Sequence, residues 1–164
     1  MNKNMVKVEP IALLPTPSGC AVFLSDGKKV ILIYIDPSIG VAINMGLQGE
    51  ETPRPMTHDL FHGVLGAFGA EVTQVIIVDE KDEIFMARMF IEVENELMHK
   101  KIIDVDARPS DSIALAVRDS APIYVMNKVW NRLNDVSDLL EDMKRQQGGK
   151  PNIGDMDIDD EPPF

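Results

Sequence analysis

Val6, Val8, Ile11 and Leu13 recur among polar positions from Met5 to Leu14, and Pro15-Thr16-Pro17-Ser18-Gly19 then interrupts the pattern, which predicts a strand and its turn. A second strand is expected from Cys20 to Leu24. Asp26-Gly27 is a hairpin signal, and the unbroken apolar run Val30 to Ile35 after it reads as a strand buried on both faces. Asp36-Pro37-Ser38 stops that strand and offers a helix start, with Val41, Ala42, Met45 and Leu47 along one face before Gly49. Thr57 is the expected cap of a second helix, in which Leu60, Phe61, Val64, Leu65 and Phe68 form one apolar stripe ending at Gly69.

The pattern then returns to strands. Glu71 to Val78, Ile84 to Val93 and Leu97 to Val105 are separated by the polar turns Asp79 to Glu83 and Glu94-Asn95-Glu96. Pro109-Ser110 opens a third helix through Val117, with Arg118 suited to its negative end, and Ile123 to Val125 is a short strand after Pro122. A last amphipathic helix spans about Asp135 to Gln146 and buries Leu139, Leu140 and Met143. The fold class expected is α+β: two antiparallel three-stranded meanders, each followed by a helix, in a mixed sheet or barrel-like core with flanking helices. Pro37-Ser38-Ile39-Gly40-Val41-Ala42-Ile43 matches Pro109-Ser110-Asp111-Ser112-Ile113-Ala114-Leu115 position by position, and this suggests an internal duplication.

At 164 residues with 45% hydrophobic and 26% charged side chains, the chain suits one packed domain over residues 1–147. Beyond Gly148-Gly149 the segment 148–164 has too little apolar surface to fold alone and is expected to be a flexible acidic tail. No apolar run is long enough to span a membrane and the start is unlike a signal peptide, so a cytoplasmic protein is expected. The single Cys20 cannot form an internal disulfide and is expected in the core. The net charge of −11 repels phosphate backbones on average, and it is not all in the tail: Gly148–Phe164 holds five acidic side chains against one lysine. Nucleic-acid binding would therefore need a local basic cluster or a bridging cation. Lys28-Lys29 and Lys100-Lys101 are isolated pairs, expected to be solvated on hairpins.

Two segments could carry chemistry. In Asp104-Val105-Asp106-Ala107-Arg108-Pro109-Ser110-Asp111, alternation puts Asp104 and Asp106 on one face, and the next helix starts beside them. Three carboxylates of this kind suit Mg²⁺ or Mn²⁺. The same residues also read as structure, with Ser110 capping the helix, Asp111 at its positive end and Arg108 paired to an aspartate. His58-Asp59-Leu60-Phe61-His62 places two histidines on one helix face, an echo of the zinc-protease signature without its glutamate or a third ligand. Phosphate-binding glycine loops and serine-hydrolase elbows are missing from the sequence.

Arg54-Pro55-Met56-Thr57-His58-Asp59-Leu60, the stretch Asp106 to Ala116 and Pro122-Ile123-Tyr124-Val125 together resemble the bifunctional nuclease domain family, over roughly Met5 to Leu133. The resemblance implies an α+β domain, self-association into a homo-oligomer, and metal-assisted phosphodiesterase activity on RNA or DNA. Where such proteins usually read Ile-Gly-Pro-x-Glu-Ala, this chain has Ile35-Asp36-Pro37-Ser38-Ile39-Gly40, so Ile39 replaces a glutamate. Carried onto this sequence, a nuclease would hold its metal on Asp104, Asp106 and Asp111. Arg54 and Arg108 would clamp phosphate, with His58 and Asp59 for proton transfer. The alternative is a non-catalytic, self-associating domain in which the same motifs are structural. The two differ in whether Arg54, Asp59, Arg108 and Asp111 line an open cleft or pair off with one another.

Overall fold

The computed structural model describes residues 4–94 and 97–146. The boundary and tail expected at 147–164 lie outside the described residues. Seven strands make one mixed sheet in the order β3-β2-β1-β7-β4-β5-β6, open at both ends rather than closed into a barrel. The first meander is β1 (Met5–Thr16), β2 (Gly19–Ser25) and β3 (Val30–Ile35). The second is β4 (Ala70–Lys81), β5 (Ile84–Glu94) and β6 (Lys100–Ala107). Between them β7 (Ile123–Met126) runs antiparallel to β1 and parallel to β4, the one parallel pairing among the described residues.

Each meander is followed by a helix beginning with proline, as the repeat predicts: α1 (Pro37–Gln48) and α3 (Pro109–Ala116). Both prolines occupy the first turn, where a missing N–H costs nothing. Asp36 caps α1, its carboxylate accepting from the Ser38 amide at 2.8 Å. Gly49 closes α1 in the left-handed conformation at φ 66°, with its amide on the Met45 carbonyl. The helix α2 (Thr57–Ala67) has Met56 at the cap, with Thr57 inside the first turn, and Asp59 reaches back to the Met56 amide at 3.0 Å. A one-turn helix α4 (Asn127–Trp130), which carries no local sequence signal, follows β7, and α5 (Ser137–Gln146) ends the described chain.

The main core lies on one face of the sheet, where Ile43, Ile113, Val22, Val75, Ile77 and Val125 are fully buried together. Cys20 belongs to it at 1% exposure, and burial pushes its thiol up to about 11. On the other face Phe23, Leu14 and Val30 pack against Leu140 of α5, with Met143 beside them, while Leu139 points outward. β3 is covered on both faces as expected, with Ile31 and Ile33 in the main core and Val30 and Leu32 in the cluster around Leu140, although it is an edge strand and Tyr34 is exposed. Two expectations change in detail. In α1 the buried side is Ile39, Ala42, Ile43 and Met45, while Val41 and Leu47 face outward. Lys29 is not solvated: its ammonium donates to the Trp130 and Leu133 carbonyls at 2.5 and 2.6 Å and stands over the Trp130 ring.

Candidate functional site at the α2/α3 seam

The helix α2 is mounted the opposite way from an ordinary amphipathic helix. Its polar residues His58, Asp59 and His62 face the body, and none of its residues is fully buried. Leu60, Phe61, Val64 and Phe68 of the apolar stripe are 58%, 46%, 44% and 76% exposed, with only Leu65 packed against the core. What fastens α2 is a ladder of three pairs to α3 and the residues just after it. His58 Nε2 lies 3.1 Å from Asp111 Oδ1, Arg118 donates to Asp59 Oδ1 at 2.8 and 2.6 Å, and His62 Nε2 lies 2.7 Å from Asp119 Oδ1.

Each rung is braced from behind. Arg118, only 8% exposed, also donates to the Ala42 carbonyl of α1 at 3.1 Å and to the Ala114 carbonyl of α3. Asp119 is 14% exposed and its second oxygen accepts from the Val72 amide of β4 at 2.8 Å. The second oxygen of Asp111 accepts from Arg108 Nε at 2.7 Å. Partial burial pulls the Asp59 carboxyl upward, but the hydrogen bonds from Arg118 and the Met56 amide outweigh it and hold the group below the usual carboxylate range. Hydrogen bonds from Ser38 hold Asp36 low in the same way, with a smaller contribution from Arg108. Arg108, itself raised chiefly by Asp111, thus stands between the starts of the two repeated helices.

The lowered Asp59 has a consequence for acid stability. A group whose folded value is depressed contributes stability in full above its ordinary value near 3.9, and that contribution is lost as pH falls through the lower folded value. Amide exchange in α2 is therefore expected to accelerate below about pH 4 in the parent, and an Asp59→Asn variant should lose that part of the acid dependence. An acid profile of α2 unchanged by the substitution would show that the rung contributes nothing.

The three aspartates expected to share a metal do not meet. On β6, Asp106 pairs with Arg88 and Asp104 with Phe90 of β5, whereas the alternate residues Met89 and Ile91 belong to the core beneath α3. Asp104 and Asp106 thus share a face, as alternation predicts, but it is the face away from α3. There Arg88 donates to Asp104 at 2.7 Å and stands 3.8 Å from Asp106, and this contact lowers the Asp104 carboxyl. Asp111 on α3 has both oxygens engaged by His58 and Arg108. Among the described residues no three His, Cys, Asp or Glu side chains are gathered to hold an ion. This arrangement does not fit Mg²⁺ or Mn²⁺. His58 and His62 do share a helix face, but each turns to a different aspartate instead of converging on one metal.

Beside the ladder a cleft of about 400 Å³ opens between the end of α1, the 50–55 loop and α2, lined by Glu50, Glu51, Thr52, Asp59, His62 and Arg118. Of the residues singled out from sequence, Asp59 and His62 reach this cleft. His58, Arg108 and Asp111 form the far end of the ladder, and Arg54 is exposed on the adjoining loop. His62 is 39% exposed. A part-buried, amide-anchored carboxylate behind a cleft-facing imidazole is the arrangement by which proteins orient a proton-transfer group.

The chain matches the bifunctional nuclease domain over residues 22–137. It belongs to the bifunctional nuclease domain family. That span holds α1, α2, α3 and every rung of the ladder. Among curated relatives, uncharacterised proteins from two strains of Mycobacterium tuberculosis, CDC 1551 / Oshkosh and ATCC 25618 / H37Rv, are each 39% identical over 105 residues. The alignment covers 64% of this chain and 59% of each relative, so the family domain is shared but not the whole length of those proteins. No helix among the described residues is long and apolar enough to cross a membrane.

The sequence did not reveal Arg118 and Asp119 as site residues, and it gave His62 only as one half of a metal pair. The histidines on α2 carried a usable signal, since two imidazoles at i and i+4 on the polar side of a helix need partners. Their partners stand more than fifty residues further along the chain.

Proposed function

We propose that this member of the family hydrolyses phosphodiester bonds of nucleic acid, with His62 as the acid–base group held by Asp119. The observation that carries this reading is the 2.7 Å contact between His62 and a part-buried carboxylate, with the ring at the wall of an open cleft. In this reading His62 takes the proton of the attacking water as its oxygen bonds to phosphorus, one P–O ester bond breaks, and the proton returns from the imidazolium to the departing alkoxide oxygen. Arg54, exposed on the loop that borders the cleft, meets the phosphate oxygens, and Arg108, 70% exposed at the His58 end of the ladder, is the second cation for the strand.

The test is cleavage of labelled single-stranded RNA and DNA with and without chelator. Removing the group that moves the proton typically costs 10²- to 10⁴-fold in rate, so a loss of about that size is expected in His62→Ala, with turnover by the parent unaffected by chelator. Because the chain is acidic and Glu50 and Glu51 line the cleft, kcat/KM on a polyanion should rise with added salt as the repulsion is screened. Activity that needs Mn²⁺ and vanishes in Asp111→Asn would overturn this reading in favour of a metal centre.

A second reading is favoured by the Asp59–Arg118 rung, which is part-buried, fully paired and tied to three helices: the family motifs are fasteners in a non-catalytic domain. Folded parent protein that cleaves neither nucleic acid under any of these conditions would establish that reading.

A further inference from the structure

We propose that β6 is the contact by which two copies of this chain join into a two-fold dimer with one continuous sheet. The proposal does not depend on whether the α2/α3 seam is catalytic. β6 is a terminal strand, with β5 on one side and no further strand on the other among the described residues. It runs in unbroken register with β5, without a bulge or proline, and Ile102 and Ile103 are 64% and 36% exposed. Long, regular edge strands of this kind are templates for pairing with another chain. The other sheet edge differs. At the start of β3 the Val30 amide donates to Asp135 and the Val30 carbonyl accepts from the Val136 amide, so a loop already occupies it.

The occupant is argued from charge. β6 reads Lys100-Lys101-Ile102-Ile103-Asp104-Val105-Asp106, basic at its start and acidic at its end. Antiparallel to itself, such a strand brings each basic end to the acidic end of its copy. A two-fold axis perpendicular to the sheet keeps each face on its own side, so only residues whose numbers share parity can stand opposite each other. With Ile103 on the axis, Lys100, whose ammonium also donates to Glu92 of β5 at 2.5 Å, stands opposite the partner's Asp106, and the two Ile103 side chains meet. Asp106 is the carboxylate with capacity to spare: it is 81% exposed and only 3.8 Å from Arg88, whereas Asp104 is held by the same guanidinium at 2.7 Å. A single strand pairing covers less area than a permanent interface needs, so the dimer should dissociate on dilution and weaken with salt.

The experiment is sedimentation equilibrium of the full chain from sub-micromolar to tens of micromolar, with two exposed charge variants. In Asp106→Lys lysine meets lysine at both ends of the paired strands, and in Lys100→Glu carboxylate meets carboxylate. Each alone should dimerise at least about tenfold more weakly than the parent. Their equimolar mixture restores opposite charges at both ends and should recover the association. Thermal melting of each variant checks its fold independently. A parent that stays monomeric overturns the proposal, as does a dimer that neither variant weakens. If such a dimer is instead dissolved by Phe61→Ser with Phe68→Ser, the interface belongs to the apolar side of α2.

Discussion

Replacing Arg118 with methionine is expected to lower the unfolding free energy by about 3 kcal/mol, the low end of what removing one member of a buried ion pair costs. The guanidinium is 8% exposed and satisfies Asp59 on α2, the Ala42 carbonyl on α1 and the Ala114 carbonyl on α3. Methionine keeps much of the apolar stem but leaves a carboxylate and two carbonyls without that donor. Asp59 is about one-third exposed and water can reach it, which places the cost at the low end of the range. For a domain of this size the melting temperature should fall by roughly 10 °C. The double variant Asp59→Leu/Arg118→Met should recover part of the loss, because no charge is then stranded. Equal stability of parent and single variant in chemical denaturation would remove Arg118 from its place as the joint of the three helices.

Truncating Ile113 to alanine should be comparably severe, about 3 kcal/mol, within the 2–5 kcal/mol seen for such core deletions. Ile113 is fully buried in the main core with Ile43, Val75 and Met89, among residues of two helices and the sheet. It lies on α3 between Asp111 at the helix start and Arg118 just past its end, so it sets the height of that helix above the strands. A cavity there loosens the platform on which every rung of the ladder rests. Faster amide exchange in α2 as well as α3 is the expected signature, measured together with the drop in denaturation midpoint. A loss below about 1 kcal/mol would mean that the surroundings collapse into the space.

Much of the fold was legible because the signals were local. The alternation of Val6 and Val8, the Asp26-Gly27 hairpin, and the proline starts of α1 and α3 each act within a few residues. The repeat seen in Pro37-Ser38 and Pro109-Ser110 corresponds to real equivalent turns. The failures share a cause. Period tells which residues of an element lie together, not which side meets the protein. The stripe of α2 was correctly delineated, yet the side it marks faces solvent and the histidine side faces the core. Asp104 and Asp106 do share a face, but nothing local says that α3 packs on the other one. Family resemblance found His58, Asp59 and Asp111. Their partners Arg118 and Asp119 depend on long-range packing that the sequence does not display.

The position of β7 bears on how the chain is made. Met5 pairs with Met126 and Val75 with Ile123, so the strand that stitches the two halves is synthesised after the six strands it joins. The first meander and α1 can assemble while the second is still being synthesised, but both must then wait with their inner edges bare. A nascent chain stalled before Ile123 would hold two unsealed half-sheets. That interval is when a chaperone would have most to protect.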